Sequence, residues 1–413
     1  MYIAPLILCI VFLLIAVRQV GSLKLQIWQV MAGGAVAALV CGQISWLPAL
    51  KSINLDVMLF LFGMFVVGQA LDESGYLAHV AFGLFQKAKT IDRLLLVILF
   101  GMGLASAFLM NDTLAIIGTP LVLVLAQRHH MNPKVLLMAL AVAVTIGSVA
   151  SPIGNPQNLL VAVNGKVHNP FVTFFVYLFI PTVLNLGIAY FVLKFFFREH
   201  FHGETLTHIQ ENIRDPHLAW LSQISLGLLA VLIIIKIALV WLGVPFDLRL
   251  TYIALAAALP ILVFSPRRFQ VLKRIDWQTL VFFAAMFILM QSVWDSGFFQ
   301  ALLERWQVNI TSIGMILTVS VILSQFISNV PLVALYLPLL MLAHIGHPEL
   351  MALAAGSTIA GNFSILGAAS NVIIIQNAEK RSGVTLTFWE FCRVGVPLTI
   401  VNVLVYWLYF LIW

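Results

Sequence analysis

The chain has 413 residues, 62% of them hydrophobic and 9% charged, and carries a formal charge of +6. That balance excludes a soluble domain of ordinary composition and makes lipid the solvent for most of the fold. The three cysteines, Cys9, Cys41 and Cys392, lie far apart without CxxC or Cys/His spacing, which excludes a disulfide framework and a thiolate metal site and leaves core packing as their expected role.

A bilayer core about 30 Å thick takes roughly 20 apolar residues per helix. Stretches of that kind predict spans at 3–18, 27–47, 55–72, 134–163, 171–195, 218–242, 249–264, 277–294, 349–378 and 391–412. The first has neither the basic start nor the small-residue cleavage site of a signal peptide, and is read as a retained helix. Residues 92–127 and 310–343 behave differently. Each holds two apolar arms interrupted at a polar centre, Asn111-Asp112-Thr113 in one and Ser328-Asn329-Val330-Pro331 in the other. Polar side chains and freed backbone groups at that depth need protein partners, so each stretch is expected to be a re-entrant helical hairpin with its tip inside the protein. Between the halves, residues 199–217 are polar and read as a cytoplasmic linker. Its His200-x-His202 and His208 fit either a solvated loop or a metal site.

With both hairpins returning to the side they enter and the N-terminus outside, 17 of the 22 basic residues fall on the cytoplasmic side. Only Lys51, Lys166, Arg249 and Arg305 fall outside, and Lys236 lies within a span near its outer end, where snorkelling to the interface is expected. This bias predicts a multi-pass protein of a bacterial inner (plasma) membrane with both termini periplasmic. The chain also resembles itself. At an offset of 222, Ile53, Phe60, Met64, Phe65, Gln69, Ser74 and Gly75 meet identical residues in the second half; at 218, Ser106, Phe108, Asn111, Pro120 and Leu121 do so. Gly154 and Asn158 meet Gly367 and Asn371 at 213, and Phe175 and Pro181 meet Phe391 and Pro397 at 216. Five spans per half is an odd number, so the expected fold is all-α, with two inverted-topology repeats, residues 1–198 and 218–413, each holding a hairpin and a broken helix.

The functional signal is four polar breaks paired by the repeat. Two are the hairpin tips. The others interrupt long helices, at Ser151-Pro152-Ile153-Gly154-Asn155-Pro156-Gln157-Asn158 and at Gly367-Ala368-Ala369-Ser370-Asn371. Proline lacks a donor and clashes with the preceding turn, so these helices should unwind and turn carbonyls and N–H groups toward a shared midplane cavity. The expected ligand-binding set is Asn111, Asp112, Thr113, Gly154, Asn155, Asn158, Ser328, Asn329, Gly367, Ser370 and Asn371. Asp112 is the one carboxylate placed deep in the bilayer, where an ionised Asp costs about 2.5–3.5 kcal/mol. It is expected to carry a coupling proton or ligate a cation; the alternative is a carboxylate held as a cap by hairpin N–H groups. Gln69 and Gln291 read as interhelical glue, and Trp46, Trp220, Trp241, Trp277, Trp294 and Trp389 as interfacial anchors.

These motifs resemble the ion-transporter superfamily that includes arsenite permeases, sodium/proton antiporters and divalent anion/sodium symporters, over nearly the whole chain. Asn111-Asp112 followed by Thr119-Pro120 is similar to the first hairpin of arsenite permeases, Ser328-Asn329-Val330-Pro331 to the second, and Ser151 to Asn158 to the broken helix of dicarboxylate symporters. The symporter hairpins read Ser-Asn-Thr; here Asn111 and Asn329 remain, while Met110, Asp112 and Val330 depart from the pattern. The resemblance implies Na+ sites near Asn111 and Asn329, and a homodimer whose transport domains move against a scaffold. A carboxylate substrate beside Asp112 would meet like-charge repulsion. The expected function is secondary transport of a small inorganic ion or anion, arsenite- or oxyanion-like, coupled to H+ or Na+, with no other cofactor and no nucleic-acid partner. A cation/proton antiporter is the rival reading. A channel would want polar rings along a pore, and no HExxH, GxSxG or P-loop points to an enzyme.

Overall fold

A computed structural model describes the chain except residues 1–2, 18, 21–22, 25, 77–78, 81–87, 89, 129–130, 201–212, 243, 245, 247, 299–300, 302–309 and 344. The His202 and His208 of the polar segment, and most of the linker, lie outside the described residues. Apart from a two-residue antiparallel pairing of Gln19–Val20 with Leu23–Lys24, the described regular structure is helical.

The first half contains α1 (Ile3–Val17), α2 (Ile27–Val40), α3 (Trp46–Ser52), α4 (Leu55–Ser74), α5 (Ile91–Leu109, with a π-turn at Ile98–Met102), α6 (Asn111–Arg128), α7 (Pro133–Ser148), α8 (Pro156–Asn164) and α9 (Pro170–Phe196). The second contains α10 (Pro216–Trp241), α11 (Leu250–Phe264), α12 (Arg268–Arg274), α13 (Trp277–Asp295), α14 (Ile313–Ile327), α15 (Asn329–Leu342), α16 (His347–Ile359), α17 (Ala369–Ser382) and α18 (Phe388–Phe410). Among the described residues six helices are long and apolar enough to cross a membrane: α4, α5, most of α10, α9, α13 and α18.

Local chemistry sets the ends. Pro133, Pro156 and Pro170 open helices at a position where the missing N–H costs nothing. Asn54, Thr90, Asn132, Asp276, Ser312 and Thr387 accept a bond from a first-turn N–H, as N-caps do.

The same local structures recur at the sequence offsets. Gly75 and Gly297 both end their helices with φ near +70°. Ser74 and Ser296 each donate to the carbonyl three residues back, Leu71 and Val293. Gln69 and Gln291 each donate to a carboxylate one turn on, Glu73 at 3.2 Å and Asp295 at 2.8 Å. This replaces the expected interhelical role with a bond inside one helix, because an i, i+4 acid is the nearest acceptor.

The halves interlock. α4 packs on α10 and α11, while α2 packs on α13, so each flanking group draws from both halves. The hairpins, the broken helices, α9 and α18 form a central set in which α6 lies on α17 and α8 on α15. A polar chain ties its middle together: Asn402 Nδ2 donates to Asn185 Oδ1 at 2.8 Å, Asn362 Nδ2 reaches Asn402 Oδ1 at 3.4 Å, and Thr182 bonds the Tyr406 hydroxyl at 2.7 Å. Lys134 and Glu390 pair at 2.6 Å across the halves.

Close backbone approach joins the first hairpin to the first broken helix. A Cβ on Gly147 would lie 2.1 Å from the Gly103 carbonyl oxygen and 2.4 Å from its carbonyl carbon. Backbone cannot yield there as a side chain could, so Gly147→Ala is expected to destabilise by about 1–3 kcal/mol or more. A thermal-unfolding midpoint in detergent indistinguishable from that of the unmodified chain would show that the contact is not tight.

Two expectations are corrected. Cys9 and Cys41 are exposed and only Cys392 is buried, since a helix face turned to lipid does not demand burial of an apolar thiol. Lys236 is 4% exposed and donates to the Leu248 carbonyl at 2.8 Å. Its amine is therefore held by protein, by a carbonyl between α10 and α11.

Candidate functional site

Both hairpins turn through a single residue. Met110 (φ 67°, ψ 139°) separates α5 from α6, and Ser328 (φ 67°, ψ 160°) separates α14 from α15. This region of backbone space is nearly restricted to glycine and costs of order 1–3 kcal/mol per residue. Two non-glycine residues holding it at positions 218 apart mark both tips as over-determined by their surroundings. By length and composition α5, which ends at this turn, is itself long and apolar enough to cross a membrane.

Directly after each turn sits the paired asparagine. Asn111 and Asn329 are each 5% exposed, and the Oδ1 of each has no hydrogen-bond partner among the described residues. The first tip is pinned to the first break by Asn111 N–H donating to Gly154 O at 2.9 Å. Thr113 is buried against α4, where a Cβ on Gly68 would lie 2.9 Å from its Oγ1. The tip thus lies at the seam between central and flanking helices. Asp112 stands in the first turn of α6, and among the described residues no hydrogen bond or ion pair reaches its carboxylate. The cap alternative is therefore not what this geometry displays. Asp276, the N-cap of α13, lies within Coulombic reach of Asp112.

The first break is closed by its own asparagines. Asn158 Nδ2 lies 3.0–3.1 Å from the carbonyls of Ser148, Val149 and Ser151, and Asn155 Oδ1 accepts from Asn158 N–H at 2.8 Å. Asn155 Nδ2 reaches Ser148 Oγ at 3.1 Å and Thr358 Oγ1 at 3.2 Å. Thr358 donates in turn to Asn158 Oδ1 at 3.1 Å and accepts from Gln157 Nε2 at 3.4 Å. Gly154 is required by shape, since a Cβ there would lie 2.4 Å from Ser148 O. Asn155 and Asn158 thus serve the broken backbone, and their amides are engaged within the protein.

The second break repeats the plan with fewer partners. Asn371 Nδ2 donates to Gly361 O at 2.6 Å and Ser364 O at 3.3 Å, positions that mirror Ser148 and Ser151. Gly367 N–H donates to Ser364 O at 3.1 Å, as Gly154 N–H does to Ser151 O at 3.3 Å. Asn371 Oδ1 and Ser370 Oγ are buried without partners among the described residues. Gln325 bridges hairpin and break, donating to Ala360 O at 2.9 Å and accepting from Ser364 Oγ at 2.9 Å.

Sequence reasoning missed Thr358, Gln325, Asn362, Asn185 and Asn402. The repeat could have found one pair, since Asn185 and Asn402 are 217 apart. It also missed a cavity of about 350 Å³, lined by Asp56, Lys166, His168, Lys236, Arg249 and Thr251 among others. It touches none of the expected site residues. It opens between α4, α10 and α11 on one side and the α8–α9 corner on the other.

The chain matches the family described as CitMHS, citrate transporter, over residues 10–356. It is 27% identical over 438 residues to the silicon efflux transporter LSI3 of Oryza sativa subsp. japonica, which covers 89% of each chain. It is 29% identical over 372 residues to the uncharacterized transporter Rv2684 of Mycobacterium tuberculosis, covering 85% of this chain and 84% of that one. The P protein of Mus musculus is 23% identical over 471 residues, spanning 92% of this chain and 56% of its own length. Among solved structures, the YdaH transporter of Alcanivorax borkumensis, described as having an unusual topology, superimposes with a TM-score of 0.62 over 99% of this chain and 97% of that one, at 14% identity.

Proposed function

The chain belongs to the CitMHS citrate transporter family, a family of membrane transporters and not of enzymes, and from that premise we propose that it is a secondary active carrier for a small inorganic ion or oxyanion. In this reading H+ or Na+ supplies the coupling, and the two halves stand inverted in a bacterial inner membrane. The central helices form the transport domain and move against the flanking groups, in a homodimer. The observation that carries the reading is the pair of tips. Two repeat-related asparagines sit behind strained turns, each buried with a carbonyl oxygen unpartnered among the described residues.

A buried polar atom without a partner costs roughly 1–3 kcal/mol, so these oxygens are held for a ligand. An amide oxygen accepts, which suits a metal cation or a hydroxyl-bearing solute more than a bare carboxylate. The relatives whose names mention citrate and silicon efflux are consistent with a small, oxygen-rich solute. Asp112 beside Asn111 favours the rival reading as well, a cation/proton antiporter, because a carboxylate with no ion-pair partner among the described residues awaits a positive charge.

Proteoliposomes carrying the purified protein decide between them. Arsenite, silicate, phosphate and citrate are offered under imposed pH or Na+ gradients, and saturable uptake with counterflow of one of them is expected. Proton movement driven by Na+ or K+ alone, with no co-substrate, would select the antiporter. Unsaturable flux without counterflow would make it a channel.

A further inference from the structure

The cavity between the α8–α9 corner and α4, α10 and α11 touches neither the hairpin tips nor the breaks, and its wall is rich in basic and donor groups. Its volume is about 350 Å³, and three basic side chains, Lys166, Lys236 and Arg249, line it together with His168 against one carboxylate, Asp56. That carboxylate is engaged. Arg249 Nη1 lies 3.4 Å from Asp56 Oδ2, and Thr251 Oγ1 donates to Asp56 Oδ1 at 2.9 Å and to its main-chain carbonyl at 3.0 Å. Thr251 is buried, so the acid is anchored on α11 and Arg249 is set at the cavity wall.

Lys166 is put there by an uncommon backbone. It follows the end of α8 with φ 52°, a left-handed conformation that glycine ordinarily supplies at this position. Two main-chain bonds hold the reversal, Lys166 N–H to Val163 O at 3.3 Å and Val167 N–H to Ala162 O at 3.1 Å. The lysine kept where glycine would be free of strain lines the cavity, and among the described residues no ion pair reaches its ammonium. The same corner is tied across the seam: Asn164 Oδ1 accepts from Nδ2 of Asn54, the N-cap of α4, at 2.7 Å.

Helix ends add to the charge. α11 starts at the cavity, with Leu250 and Thr251 in its lining, and α9 starts there with Pro170; neither first turn is capped by a side chain. First-turn N–H groups have no acceptor inside their helix and carry the positive end of its dipole. The C-terminus of α8 opposes them with a partial negative charge, but Lys166 stands at that end with a full positive one.

We infer that this cavity is a binding site for one tetrahedral oxyanion, of sulfate or phosphate type, held between Lys166 and His168 on the α8–α9 corner and Arg249 with the start of α11 on the other side. Guanidinium and ammonium groups make charge-assisted bonds to such an anion, and uncapped helix N-termini add donors. The anion comes either free from solution or as the phosphate of a lipid headgroup, and the recognition chemistry is the same. One wall belongs to the central helices and the other to the flanking groups, so a bound oxyanion joins them at this end. That consequence for transport rests on the moving-domain reading of the proposed function; the binding itself does not.

The test is equilibrium dialysis of radiolabelled sulfate against the purified full-length protein in detergent, at constant ionic strength in chloride. One saturable sulfate per chain is expected. Lys166→Gln changes an exposed side chain, so it should leave the unfolding midpoint in chloride unchanged while raising the half-saturation concentration about tenfold or more. Lys166→Arg should restore it. Arg249→Gln should weaken binding likewise, and because it also frees Asp56, the two Lys166 variants decide the matter if it does not fold. Displacement of sulfate by short-chain phosphatidylglycerol at lower concentration than by inorganic phosphate identifies a lipid headgroup as the occupant, the reverse order identifies the free ion, and either keeps the site. No saturable sulfate, or the same half-saturation in Lys166→Gln as in the unmodified chain, overturns it. So does binding lost in Asn329→Ala and kept in Lys166→Gln, which would put the anion at the hairpin tip. Sulfate binding of the expected kind in a protein that transports nothing would leave the site standing and sink the carrier reading, and transport without sulfate binding would do the opposite.

Discussion

Replacing Asp112 by asparagine is expected to lower gradient-driven transport in proteoliposomes at least about tenfold, the equivalent of about 1.4 kcal/mol, and to flatten its dependence on pH. The protein should stay folded. The carboxylate stands in the first turn of α6 with no hydrogen bond or ion pair to it among the described residues, so its amide isostere removes charge and breaks no contact. What it removes is the attraction for a cation or proton at the tip. Asp112→Glu keeps the charge on a longer stem and should retain part of the activity and its pH response. Unchanged uptake rate and pH profile in Asp112→Asn, with normal reconstitution, would return Asp112 to a structural role.

Much of this arrangement was legible in the sequence because lipid makes polar interruptions conspicuous. Asn111-Asp112 and Ser328-Asn329 in the middle of apolar runs cannot stay in a lipid-facing helix, and the chain turns at Met110, just before the first pair, and at Ser328, within the second. Pro152, Gly154 and Pro156 announced the first break, and the structure ends α7 at Ser148 and restarts at Pro156. What the sequence could not separate was an asparagine that serves the backbone from one that awaits a ligand. Asn158 and Asn111 look alike in the chain, yet one is bonded on every side and the other has an orphan oxygen. The difference lies in Thr358, some 200 residues away from Asn158, an ordinary helical residue that gives no signal of its own. Lys236 was misjudged for a related reason: the acceptor that holds it, Leu248 O, is supplied by the fold of the following segment.

The same distinction leads to the largest stability effect expected in the molecule. Asn158→Leu conserves volume but strips the donor facing three carbonyls, those of Ser148, Val149 and Ser151, and the acceptor for Thr358. An amide has two N–H groups for three acceptors, so they are shared, and their loss leaves buried carbonyls at about 1–3 kcal/mol each. Against a total stability of roughly 5–15 kcal/mol for a folded domain, that is enough to prevent folding. Asn371→Leu removes donors from two carbonyls only, Gly361 and Ser364, and its oxygen already has no partner among the described residues. It should therefore cost less, and the expected order of unfolding midpoints in detergent without sodium is unmodified chain, then Asn371→Leu, then Asn158→Leu, the last failing to elute as a single species. If the two leucine variants unfold together, the breaks are equivalent in energy, and the asymmetry that separates a closed break from an open one has no consequence for stability.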